Sequence, residues 1–68
     1  MSEHKPWRLR YRLPVPLPSG QKVVTVTFTT KESALHEGQR RFDAGCPAVT
    51  VVNKELPASR QLVKRWQR

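Results

Sequence analysis

Sixty-eight residues make one domain with room for only a small core, since a chain this short buries roughly 60% of the surface it exposes when unfolded. Thirteen lysines and arginines against five acids give a net charge of +8, with an isoelectric point near 10.9. That balance favours an anionic partner, whether nucleic acid, an acidic protein surface or an anionic membrane; no apolar run is long enough to cross a bilayer, and no membrane partner is expected.

Residues 1–5, "MSEHK", are polar and read as a flexible N-terminus. "WRLRYRL", Trp7 to Leu13, alternates without a break and predicts a strand. Trp7, Leu9, Tyr11 and Leu13 take one face, and Arg8, Arg10 and Arg12 the other. "PVPLPSG" follows. Its alternate prolines cannot pair in a central strand, and Ser19-Gly20 supplies a turn, so the stretch reads as a stiff hairpin connection. "QKVVTVTF" is a second strand, rich in β-branched residues, with Val24, Val26 and Phe28 on one face and Val23, Thr25 and Thr27 on the other.

"TTKESALHEGQRRFDAG" reads as a helix. Thr29 and Glu32 have capping-box spacing, and Ala34, Leu35, Gly38 and Phe42 fall in one stripe. Gly38 lies inside that stripe and would allow close approach to a sheet. Gly45 is a natural stop, and Pro47 blocks continuation. "AVTVVN" is a third strand. In "KELPASRQLVKRWQR", Leu62, Val63 and Trp66 form a narrow apolar stripe beside Arg60, Lys64, Arg65 and Arg68. The expectation is a short basic helix that docks on the domain or orders on a partner.

The elements predict an α+β fold: a ββαβ domain over residues 6–53 with a basic, helical C-terminal segment, 54–68. The hairpin makes the first two strands antiparallel. The third could lie beside the second or beside the first. The preference of small sheets for antiparallel pairs favours the first, giving a three-stranded sheet of order 2-1-3 packed on one helix. Its core would hold Trp7, Leu9, Tyr11, Leu13, Val24, Val26, Phe28, Ala34, Leu35, Phe42, Val49 and Val51. The opposite face would carry Arg8, Arg10 and Arg12, flanked by Thr25, Thr27 and Thr50. The strands contain no acid, so like charges crowd one face unless an anion meets them.

Catalysis finds little support. His4 and His36 lie far apart and Cys46 has no motif partner, so neither a metal site nor a nucleophile is expected, and no cofactor. The single cysteine permits no intrachain disulfide, and with no signal-peptide apolar stretch the expectation is a cytoplasmic protein. The site residues expected to meet nucleic acid are Arg8, Arg10, Arg12, Lys22, Thr25 and Thr27, with Arg60, Lys64, Arg65 and Arg68 from the C-terminal segment. Guanidinium forks suit phosphate or guanine, and hydroxyls suit phosphate oxygens. Lys54, Arg40 and Arg41 add scattered charge.

The run from Trp7 to Leu35 resembles the small AP2-like DNA-binding domain at the N-terminus of tyrosine-recombinase integrases. The likeness rests on the aromatic-rich strand "WRLRYRL", the turn "SGQK", the β-branched strand and the helix entry "FTTKESA". It implies a sheet laid in the DNA major groove, with Arg8, Arg10, Arg12, Thr25 and Thr27 facing DNA. That family has three strands before its helix, whereas two are read here. The hairpin–helix–strand build also looks like small phage proteins that bind and inhibit host enzymes. The expected function is therefore nucleic-acid binding, double-stranded DNA before RNA. The alternative is a module that docks on an acidic host protein.

Overall fold

A computed structural model describes residues 4–67. The elements are β1 (Trp7–Arg12), β2 (Val23–Phe28), α1 (Lys31–Asp43), β3 (Ala48–Asn53), a 3-10 turn (Ala58–Arg60) and β4 (Leu62–Gln67).

The proline segment forms no strand: Leu13 turns its N–H toward β2, so the nitrogens of Pro14, Pro16 and Pro18 fall on the other side of the chain and offer no donor to a neighbour on the β3 side. The hairpin closes where the Leu13 N–H donates to the Lys22 carbonyl at 2.7 Å and the Gly20 N–H to the Leu17 carbonyl at 2.8 Å. Gly20 has φ +89°, a conformation that side-chain-bearing residues rarely adopt.

α1 is capped one residue later than Thr29–Glu32 spacing predicts. Thr30 is the N-cap, and its Oγ1 accepts the Ser33 N–H at 3.2 Å. The reason is β2, which pairs through Phe28 opposite Trp7 and holds the following chain extended until Thr30, at φ -126° and ψ 152°. Glu32 remains in the first turn, where its charge suits the helix dipole. At the other end, Gly45 N–H reaches the Phe42 carbonyl and Cys46 N–H the Arg41 carbonyl, both at 3.1 Å. Gly45, at φ +111°, makes this reversal.

The sheet is antiparallel throughout, in the order β2-β1-β3-β4. The order 2-1-3 holds, but a fourth strand extends it. The expected C-terminal helix is corrected to the 3-10 turn and β4. A bulge gives this strand its helix-like spacing. The register between β3 and β4 shifts at Val51/Val52, which leaves one extra residue near Val63 and Lys64. An extra residue breaks two-residue alternation, so Val63 and Trp66 stand three apart while both pack on the core side, and this spacing mimics a helix. β3 also had an open edge whose Val49 and Val51 needed cover, and pairing with β4 supplies it.

α1 lies mainly across β1 and β3. Leu9, Ala34, Val49 and Val51 are completely buried, and Tyr11, Cys46 and Trp66 nearly so. Trp7, Leu13, Val24, Phe28, Leu35, Phe42 and Val63 pack around them, half-buried. Val26 departs from the expected core. It aligns with Leu9, yet remains 37% exposed because α1 covers β2 less completely. At the N-terminus, His4 Nε2 lies 2.8 Å from Glu55 Oε2, Pro6 is buried, and its carbonyl accepts the Lys54 N–H at 3.0 Å. Residues 1–3 lie outside the described residues.

Candidate nucleic-acid interface

The face opposite α1 is built by register. Arg10 stands opposite Thr25 on one side and Thr50 on the other, and Thr50 stands opposite Arg65. Thr25, Arg10, Thr50 and Arg65 therefore form one row across all four strands. A parallel row runs Thr27, Arg8, Val52 and Leu62, and Arg12 stands opposite Val23 in a third. Residues two apart on a strand share a face, so Arg8, Arg10 and Arg12 follow one another at about 6.6 Å. Arg10 and Arg65 are two strand spacings apart, about 10 Å.

These four guanidinium groups are exposed. Among the described residues none of them takes part in an ion pair or a side-chain hydrogen bond. Arg8, Arg10, Thr25, Thr50 and Val52 line a shallow depression of about 260 Å³. A second hollow continues along Arg10, Arg12, Val23, Ala48 and Thr50. The arginine heads thus stand over a concave floor of threonine and small apolar side chains.

The helix side manages its charge differently. Glu37 accepts from Arg40 at 3.3 Å and from Arg41 at 2.7 Å. The Arg41 guanidinium also lies 5.0 Å from the Tyr11 ring centroid. These helix arginines share one carboxylate, whereas the sheet arginines have no ion-pair partner among the described residues.

The structure gathers only part of the expected set. Arg8, Arg10, Arg12, Thr25, Thr27 and Arg65 share the face. Lys64 does not: its Nζ sits 4.9 Å from the Trp66 ring centroid, on the core side of β4. This follows from alternation: Lys64 pairs with Val51 and stands two residues from Trp66, on the same side of the sheet, and the bulge adds Val63 to that side. Lys22 is opposite Leu13 at the sheet end, where it lines a hollow with Arg12, Pro14 and Pro16 rather than joining the rows. Arg60 is exposed in the 3-10 turn between β3 and β4, beyond the row of Leu62. Arg68 lies outside the described residues. Leu62, 51% exposed beside Val52, was missed as a face residue, because no pattern marks it without the β3–β4 register.

Among the described residues no three of His, Cys, Asp and Glu come together as a metal-binding group, and no helix is long and apolar enough to cross a membrane. No protein-family model, curated protein or solved structure matches the chain.

Proposed function

We propose that this protein is a binding protein rather than an enzyme, and that its arginine face binds the phosphate backbone of double-stranded nucleic acid, DNA before RNA. One observation carries the reading. Four exposed arginines, three of them opposite threonines, share one face of the four-stranded sheet and have no ion-pair partner among the described residues. Like charges this close repel, and an outside anion relieves them.

The spacing favours a polyanion over a single small ion. Arg8 to Arg12 spans about 13 Å along β1. One strand of a duplex offers a phosphate about every 3.4 Å of axis, so several fall within that length. Each arginine can take a different phosphate, and threonine hydroxyls can share the same oxygens. The face carries no aromatic side chain, so it lacks the stacking platforms by which sheets hold single-stranded bases.

β4 bears on how a duplex would be met. The outer strand axes of a four-stranded sheet stand about 14 Å apart, wider than the roughly 12 Å major groove that admits a helix or a two-stranded ribbon. The face lies across the backbone, and sequence preference is weak as a result.

A second reading has one observation in its favour. Val52 and Leu62 form an apolar spot beside Arg8, which a phosphate backbone does not require. An acidic protein surface with an apolar centre would use both features. A titration of the protein with random duplex DNA across a range of salt separates the two. Contact with four phosphates gives a slope of about -3.6 in log affinity against log salt. No binding to duplex at physiological salt, with capture of an acidic protein that depends on Leu62, would overturn the first reading in favour of the second.

A further inference from the structure

The sheet has two edges, and they are built differently. β4 carries Lys64 and Arg65 and is bent by a bulge, the features by which edge strands avoid pairing with other chains. β2 reads VVTVTF, with no charge, no proline and no bulge in its pairing with β1. On a chain of net charge +8, it is an edge strand that itself carries no cation.

The hydrogen-bonding pattern shows which groups that edge offers. Leu13 donates to Lys22, so the pair 13/22 is hydrogen-bonded, and bonded pairs recur at every second residue. Val24, Val26 and Phe28 therefore turn their backbone groups toward β1, while Val23, Thr25 and Thr27 turn theirs outward. The Val23 carbonyl is already taken by Gln21 Nε2 at 2.9 Å. The open stretch is thus Thr25 to Thr27, centred on Val26, the core-side apolar residue of the strands that α1 leaves most exposed.

We propose that β2 pairs antiparallel with β2 of a second copy of this chain, about a two-fold axis at Val26, to give one continuous eight-stranded sheet. Thr25 pairs with Thr27 of the other copy, exchanging about two hydrogen bonds at each of the two equivalent pairs. Val26 packs on its own counterpart, and Val24 meets Phe28. The contact is self-complementary, as a two-fold interface must be. Because the axis is perpendicular to the sheet, both arginine faces point the same way and both helices lie on the other side. The proposal concerns the free protein and stands whether or not the arginine face binds nucleic acid.

The experiment is sedimentation equilibrium of the full chain without nucleic acid, over a wide concentration range, with amide hydrogen exchange on the same samples. The expected result is a species of twice the 7.9 kDa chain mass at high concentration, with the Thr25 and Thr27 amides becoming protected as it forms. Val26→Lys, or chemical synthesis with an N-methyl group on the Thr25 nitrogen, should shift the dimerisation midpoint at least about tenfold. Circular dichroism shows whether each variant folds, and the N-methyl protein decides the matter should Val26→Lys unfold. In a Cys46→Ala background, Val26→Cys should cross-link, since the opposed Cα atoms of such a pair lie about 4.5 Å apart, within disulfide range. Leu62→Cys on the other edge should not. A 7.9 kDa species at every concentration, or a dimer that survives both changes to β2, overturns the proposal.

Discussion

A Cβ placed on Gly38 would lie 2.7 Å from Cη2 and Cζ3 of Trp66: the indole of β4 occupies the space that any side chain on this turn of α1 would need. The same indole donates its Nε1–H to Gln39 Oε1 at 3.0 Å, so the ring is held in place by the residue next to the glycine that admits it. α1 and the last strand are locked together at this point.

Gly38→Ala should therefore destabilise the protein despite alanine's better helix propensity. The propensity gain is about 1 kcal/mol, whereas overpacking costs about 1–3 kcal/mol, and Trp66 cannot retreat without loosening its bond to Gln39. A net loss of about 1 kcal/mol is expected in urea unfolding. Trp66→Phe removes part of the obstructing ring, so the double variant should lose less than the sum of the two single losses. Strict additivity would mean that the two residues do not collide.

β4 should be indispensable. Trp66→Ala is expected to cost about 3–5 kcal/mol, a large share of what a domain of this size has in total. Truncation after Gln61 also reopens the edge of β3 and uncovers Val49 and Val51. The truncated chain should show no cooperative thermal transition by circular dichroism. A sharp melt near that of the full chain would mean that the C-terminal segment is an appendage.

Adjacent residues Lys64 and Arg65 should behave as opposites in binding. Arg65→Thr should reduce the salt slope on duplex DNA by about 0.9, the contribution of one phosphate. Lys64→Thr should leave the slope unchanged and cost about 0.5–1 kcal/mol of stability through the lost contact with the Trp66 ring. Equal effects of the two on the slope would contradict the β4 register. Replacing Arg8, Arg10 and Arg12 together by Thr should keep the fold and remove most of the binding.

The arginine face should also be visible in stability alone. Crowded like charges are screened by salt, so the melting temperature should rise as salt is added from a low starting point. Arg10→Thr, in the middle of the row, should raise low-salt stability by about 0.2–1 kcal/mol and flatten that salt dependence. A melting temperature indifferent to salt in the unsubstituted protein would show that the four charges do not strain the fold.

Competition should reveal how the duplex is met. With a face broader than the major groove, unrelated duplexes of equal length should compete within a few-fold of one another. One sequence preferred by three orders of magnitude, the lower end of specific DNA recognition, would mean that strands enter the groove after all.

The sequence by itself determined the elements whose signals are local. Unbroken alternation in WRLRYRL made β1 and sorted its arginines from its apolar residues before any partner was known. Alternate prolines and Gly20 closed the hairpin, and Gly45 ended α1, because each is a constraint on one residue's backbone. The order β2-β1-β3 followed from the preference for antiparallel neighbours. Tertiary structure decided the rest. β4 was hidden because its bulge shifts the period by one residue, and a bulge exists only against a partner strand. Leu62 and Arg65 joined the arginine face, and Lys64 left it, through that same register. Val26 fell out of the core because the placement of α1 over β1 and β3 is a property of the packed layers and not of the alternation in β2. The row from Thr25 through Arg10 and Thr50 to Arg65 draws on four segments of the chain, and only their pairing puts them side by side.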